Sequence, residues 1–241
     1  MLGLLIAAAL PSSASAARAP TLAGSVIKTV KVENASESGA PLFVATTETT
    51  WAQYLPAVSD GSCPMPWSGP PNPQYLYSEP ASLRYPVAGV SLDKLQCYLT
   101  WLKRKTGFKY RLPSSVEWER FARAGATTRF SWGSDLRADR IAIIRFHNFP
   151  ERPAILAKWL RETPVGLFPA NAAGLYDVVG NAFELTSTCE RPPREPNRSE
   201  CLFVIRGGSL LSPEASLGLN HKLYVSQKSE MEMTGFRLVR D

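Results

Sequence analysis

Residues 174–187 read GLYDVVGNAFELTS, and this stretch decides how the rest of the chain is interpreted. Upstream of it, residues 110–119 read YRLPSSVEWE. Downstream, residues 206–209 read RGGS and residues 235–239 read GFRLV. The four stretches lie far apart along 241 residues, so their order carries information that no single one of them carries alone.

The four stretches resemble the motifs of the formylglycine-generating enzyme (sulfatase-modifying factor) family, in the family's order. Residues 110–119 are very like the family's YRLPTEAEWE, and residues 174–187 are similar to its GLYDMVGNVWEWTSD. Two earlier segments agree as well, since residues 48–54 resemble EVT-x-x-x-Y and residues 86–91 resemble PV-x-x-VSW. The resemblance implies an α+β fold, a variant of the C-type lectin fold with little regular secondary structure.

The family's copper site is altered in this sequence. In the family enzymes two cysteines follow the GGS segment and hold a copper ion, and thiolates suit Cu(I) because both are soft. Counted from Gly207-Gly208-Ser209, the two positions are Ser212 and Leu217. Neither side chain is a thiol, so we expect no copper and no formylglycine generation by the family's mechanism.

The resemblance also implies a structural calcium site in residues 174–187. By position, Asp177 and Glu184 would contribute carboxylates, and Gly180 and Ala182 would contribute backbone carbonyl oxygens. Hard oxygen ligands from one tight loop suit Ca²⁺. The alternative is that Asp177 and Glu184 accept backbone N–H groups in a turn.

The N-terminus predicts export. Leu2 to Leu10 form a compact apolar run, which Pro11 ends, and small residues follow up to Ala19. This pattern is typical of a secretory signal peptide, although no Lys or Arg precedes the apolar run. We therefore predict a signal peptide over residues 1–19, a family domain over residues 20–241, and a periplasmic or secreted protein with no membrane span after cleavage. The alternative is a buried N-terminal helix.

Export places the four cysteines in an oxidising compartment, where three pairings are possible. Cys189 and Cys201 flank a charged, proline-rich loop that a bridge would close, with a stabilisation of about 3 kcal/mol on the chain-entropy model. Cys63 and Cys97 are then the remaining pair. Four free buried thiols are the alternative.

The secondary-structure signals are those of an α+β protein. Apolar residues at helical spacing predict a helix over residues 91–106, with Ser91 as its N-cap and Gly107 after its end. A capping box at Ser114 and Glu117 predicts a second helix that ends at Gly125. Strands are expected at the following segments: within residues 24–45, Phe203 to Arg206, and Phe236 to Val239.

The charges favour structural roles and argue against nucleic acid. The formal net charge is +6, but the basic residues are dispersed and form no stripe with interleaved aromatic residues. We assign Glu117 to its capping box, and we expect Arg206 and Arg237 to form ion pairs in the core.

Two functions remain open. In the first, the fold keeps a groove, lined by the Pro- and aromatic-rich residues 61–86 and by residues 210–225, and binds a peptide or small molecule in the cell envelope. In the second, the chain is a periplasmic enzyme of non-copper chemistry, like family members that complete the oxidation of a siderophore (pyoverdine-type) chromophore. Its acid or base would come from one of four candidates, which are Ser212, Glu214, His221 and Tyr224.

Overall fold

The fold is taken from a computed structural model, which describes residues 26–66, 83–143, 162–197 and 199–241. The fold is α+β, and the described residues form three α-helices packed around two small sheets. The predicted signal peptide and most of the Pro- and aromatic-rich segment lie outside the described residues.

The helices follow from local signals. Helix α1 spans Trp51–Ser59, α2 spans Leu92–Thr106 and α3 spans Ser115–Arg123. Ser91 is the N-cap of α2, and Gly107 ends it in the left-handed conformation, as predicted. The capping box of α3 is confirmed too, because the Ser114 side chain accepts the Glu117 amide while Glu117 accepts the Ser114 amide. Helix α3 ends slightly before the predicted Gly125, at a left-handed Ala124.

In the described part of the chain, seven strands form the two sheets. Their bounds are β1 Thr29–Val32, β2 Leu42–Ala45, β3 Phe183–Glu190, β4 Leu202–Arg206, β5 Leu223–Val225, β6 Thr234–Gly235 and β7 Val239–Arg240. The first sheet has the order β1-β2-β7 and is antiparallel. The second has the order β5-β4-β3-β6, with only the β3–β6 pair parallel.

The strand predicted from Phe236 to Val239 is divided in the structure. Gly235 pairs with Glu184 in the second sheet, whereas Val239 pairs with Val44 in the first. Between them the chain crosses from one sheet to the other, so a single continuous strand was the wrong prediction. The crossing residues still pair locally, since the Phe236 and Leu238 carbonyls accept the Thr49 and Ala45 amides.

Two apolar clusters make up most of the core. One packs α1 and α2 against one face of the second sheet, with Tyr54, Tyr98 and Phe236 fully buried. The other packs α3 against β2, with Trp118 and Phe121 at its centre. The described residues contain no helix long and apolar enough to cross a membrane.

Both expected disulfides are present. Cys63 is bonded to Cys97, which ties the end of α1 to α2, and Cys189 is bonded to Cys201, which closes the loop between β3 and β4. The alternative of four free thiols is therefore wrong.

We predict that the double substitution Cys189→Ser with Cys201→Ser lowers the free energy of unfolding by about 3 kcal/mol, because the open loop gains entropy in the unfolded chain. Urea unfolding under non-reducing conditions measures this. A reductant should then destabilise the variant less than the wild type. An unchanged urea midpoint in the variant would contradict the prediction.

Candidate functional site

The turn from Asp177 to Glu184 is shaped by left-handed backbone. Asp177, Gly180 and Asn181 have φ values of 54°, 85° and 59°. Gly180 is required for a second reason, because a Cβ there would lie 2.5 Å from Ile141 Cγ1. The turn therefore packs tightly on its neighbours and delivers its polar side chains into the interior.

Glu184 forms a buried ion pair with Arg237. The two side chains are 1% and 0% exposed, and Arg237 Nη2 lies 2.7 Å from Glu184 Oε1. Trp118 Nε1 donates to Glu184 Oε2 at 2.7 Å. Burial alone would lower the pKa of Arg237, but the Glu184 carboxyl group, together with Glu48 and Asp177, outweighs burial and raises it. The expected core role of Arg237 is confirmed, as is that of Arg206, which pairs with Glu119.

Two further carboxyl groups lie close to this pair. Glu48 is fully buried and accepts the Ala182 amide and the Asn181 side-chain amide, each at 3.3 Å. Burial, and then repulsion from Asp177 and Glu184, raises its pKa well above the usual value. Burial also raises the pKa of Asp177 to about 6, although its Oδ2 accepts the Gly166 amide at 2.6 Å. Three buried carboxyl groups therefore interact with one arginine.

The two carboxylates predicted for calcium already have hydrogen-bonding partners within the protein. Both Glu184 oxygens are held by Arg237 and Trp118, and one Asp177 oxygen is held by the Gly166 amide. A calcium ion would have to compete with the Arg237 guanidinium for Glu184. Within the described residues, no group of three or more His, Cys, Asp or Glu side chains is placed to hold a metal ion. Calcium at this turn stays a prediction.

Ser212 and Leu217 meet beside Gly208. A Cβ on Gly208 would lie 2.6 Å from Leu217 Cδ2 and 3.5 Å from Ser212 Oγ, so the two side chains converge on one point. Ser212 Oγ accepts the Ser209 amide at 2.9 Å, and both side chains are buried. A hydroxyl and an isobutyl group do not suit Cu(I), so these two positions do not fit the family's copper ion.

A polar cleft opens next to Leu217, and we refer to it as the basic cleft. It lies between the loop after α3 and the segment that leads from β4 to β5, and it has a volume of about 650 Å³. Its lining residues are Arg123, Thr127, Thr128, Arg129, Ala215, Leu217, Asn220, His221 and Lys222. The lining thus combines basic side chains with hydroxyl and amide groups.

The four candidate acid–base residues have separate environments. His221 lines the basic cleft, and burial together with nearby Arg206 lowers its pKa. Glu214 opens a short 3₁₀ helix and has its carboxylate 3.8 Å from Arg129. The Tyr224 hydroxyl donates to Glu190 at 3.0 Å, and Ser212 is held by the Ser209 amide. Ser212 and Tyr224 are therefore held by different partners, and of the four candidates only His221 lines the basic cleft.

Sequence reasoning placed only part of this region. Residues 215–222, which fall within the predicted segment 210–225, contribute to the lining of this cleft. The described parts of residues 61–86 do not line it, and residues 67–82 lie outside the described residues, so the predicted groove between the two segments stays a prediction. The contribution of Arg123 and Arg129 was missed, and so was the buried carboxyl of Glu48. Glu48 stands in the early ETT motif, which offered a signal, but no local pattern points to the two arginines.

The architecture can now be compared with known proteins. Residues 13–241 match the family model described as the sulfatase-modifying factor enzyme 1-like domain. The chain belongs to this family. At the two positions counted from Gly207-Gly208-Ser209, this chain has Ser212 and Leu217.

Several curated relatives are formylglycine-generating enzymes. The chain is 31% identical to the Mycobacterium tuberculosis enzyme over 136 residues, which covers 55% of this chain and 44% of the relative. It is 29% identical over 183 residues to inactive C-alpha-formylglycine-generating enzyme 2 of Mus musculus, which covers 69% of this chain and 55% of the relative. The chain thus spans about half the length of these relatives.

Two solved structures share the fold. PvdO from Pseudomonas aeruginosa superposes with a TM-score of 0.66 at 22% identity, covering 88% of this chain and 90% of PvdO. CarF superposes with a TM-score of 0.68 at 19% identity, covering 90% of this chain and 98% of CarF. Together with the family match, they establish the expected formylglycine-generating-enzyme-like α+β fold.

We predict that Arg237→Met lowers the free energy of unfolding by about 3–5 kcal/mol, because it leaves Glu184 buried without its cation. The matched control is Arg137→Met, which breaks the exposed Arg137–Asp139 pair and should cost less than about 1 kcal/mol. Chemical denaturation of both variants measures the difference. Equal costs would contradict a central role for the buried pair.

Proposed function

We propose that this chain is an exported family member that binds or matures a peptide or small molecule in the cell envelope without copper chemistry. The observation that carries the proposal is the pair Ser212 and Leu217, whose side chains converge beside Gly208 but offer no thiol. The similarity to an inactive family member fits the same reading.

Two observations support the cellular location in this proposal. The N-terminal apolar run followed by small residues has the form of a signal peptide. Two disulfides suit an oxidising compartment such as the periplasm.

A second candidate is a periplasmic enzyme of non-copper chemistry, such as one that completes oxidation of a siderophore chromophore. His221 favours it, because its pKa is lowered by burial and by Arg206, which keeps the imidazole neutral and able to take a proton near neutral pH. The residues of the basic cleft would supply the proton-transfer steps of such a reaction.

The first test is intact mass and metal content of the protein purified from the periplasm. We expect a mass that lacks about the first 19 residues, two disulfides, calcium, and no copper. Stoichiometric copper would overturn the proposed function. A protein without calcium would overturn only the calcium prediction.

A gain-of-function variant tests the altered site directly. Because the two side chains already converge, Ser212→Cys with Leu217→Cys should create a Cu(I) site that the wild type lacks. Competition with a chromophoric Cu(I) chelator, in ascorbate so that the native disulfides persist, measures the affinity. Ser212→Cys alone is the control and should bind much more weakly. Wild-type affinity equal to that of the double variant would contradict the proposal.

A further inference from the structure

The described lining of the basic cleft contains cations and no acidic side chain. Arg123, Arg129 and Lys222 all contribute to its surface, and none of the described residues that line it is Asp or Glu. The acids that pair with these cations, Glu119, Glu214 and Glu190, are outside the lining. Whether the cleft can attract an anion therefore depends on how far these three acids neutralise the charges of their cations.

Arg129 is positioned mainly by neutral groups. Its Nε donates to the Leu217 carbonyl at 3.3 Å, and its Nη2 donates to the Glu214 carbonyl. The Glu214 carboxylate lies 3.8 Å away, and both side chains are more than a third exposed. Backbone carbonyls fix a guanidinium without cancelling its charge, and an exposed ion pair at this distance is weak, so Arg129 can still attract an anion.

Lys222 is held by a shared and exposed carboxylate. Its Nζ lies 3.2 Å from Glu190 Oε1, with the two side chains 38% and 36% exposed. The Tyr224 hydroxyl donates to the same oxygen at 3.0 Å. Exposed ion pairs of this kind are weak, and Tyr224 keeps Glu190 partnered if Lys222 turns toward a ligand.

Arg123 shares its carboxylate with a second guanidinium. Glu119 accepts from Arg123 Nε at 2.8 Å and also pairs with the buried Arg206. Burial would raise the pKa of Glu119, but the hydrogen bonds from Arg123 and Arg206 outweigh it and lower the pKa, so Glu119 is ionised. The single negative charge of Glu119 is thus paired with the two positive charges of Arg123 and Arg206, so one positive charge beside the basic cleft is not neutralised by Glu119.

Neutral polar groups complete the lining. His221 Nε2 is buried and has no hydrogen-bond partner within the described part of the chain. Thr127, Thr128 and Asn220 add hydroxyl and amide groups. The hydroxyl and amide groups can donate hydrogen bonds to an anionic oxygen.

We propose that the basic cleft binds a small molecule that carries at least two anionic oxygen groups, either carboxylates or phosphates. A volume of about 650 Å³ suits a ligand of metabolite size. Because three cations are spread around the cleft, a ligand with several anionic groups would bind better than a ligand with a single anionic group. The inference rests on the proposed binding function and gives the chemical class of its ligand.

Isothermal titration of the full chain tests the proposal with three probes. Tricarballylate and pyrophosphate represent the two oxyanion chemistries, and trimethyl tricarballylate is the uncharged control. The variants are Lys222→Gln in the basic cleft and Lys31→Gln, an exposed lysine paired with Glu33 on β1, as the control of equal charge change. Thermal unfolding of both variants checks that they fold.

We expect at least one acid to bind, its ester not to bind, and added salt to weaken binding. Loss of one charged hydrogen bond should weaken binding about tenfold in Lys222→Gln and leave Lys31→Gln unchanged. Equal affinity in the two variants, binding of the ester, or no binding of either acid would overturn the inference. If neither acid binds and the protein is free of copper, the proposed function still stands and only its ligand class is wrong.

Discussion

The ion pair between Arg237 and Glu184 joins the parts of this fold that sequence places far apart. Arg237 donates to Glu184 on β3, to the Ala45 carbonyl at the end of β2 and to the Tyr176 carbonyl before the turn. Glu184 in turn holds the Trp118 indole of α3. A buried arginine needs this complete set of acceptors, because an unpaired charge in the interior is very costly. Both sheets and α3 are therefore fixed relative to one another.

Two further acidic side chains lie near this ion pair. Glu48 and Asp177 are buried and interact electrostatically with both members of the pair, and burial raises the pKa of each. Glu48 accepts the Asn181 side-chain amide and the Ala182 backbone amide, both in the turn that follows Asp177. Asp177 itself accepts the backbone amide of Gly166. The acids thus act first as hydrogen-bond acceptors that order a left-handed turn, and any calcium ion would join an arrangement that already has internal partners.

The family scaffold is kept where backbone geometry matters and altered where copper chemistry would occur. Residues 212 and 217 meet beside Gly208, and their side chains are a hydroxyl and an apolar group. Leu217 also lines the basic cleft, whose other lining residues are mostly polar or basic. We therefore propose that this chain uses the basic cleft, and not a copper ion at residues 212 and 217, for its function.

The sequence alone determined the features that depend on nearby residues. Helices α2 and α3 were predicted with their caps, because capping and apolar periodicity act over a few positions. The family motifs gave the fold. Strand β3 was not predicted. Its first four residues are all buried, and it is identified only by its pairing with β4 and β6. The tertiary structure also decided the crossing at Phe236–Leu238 and the meeting of Arg123 and Arg129 with Lys222. Those arrangements depend on pairing between distant segments, which no local pattern records.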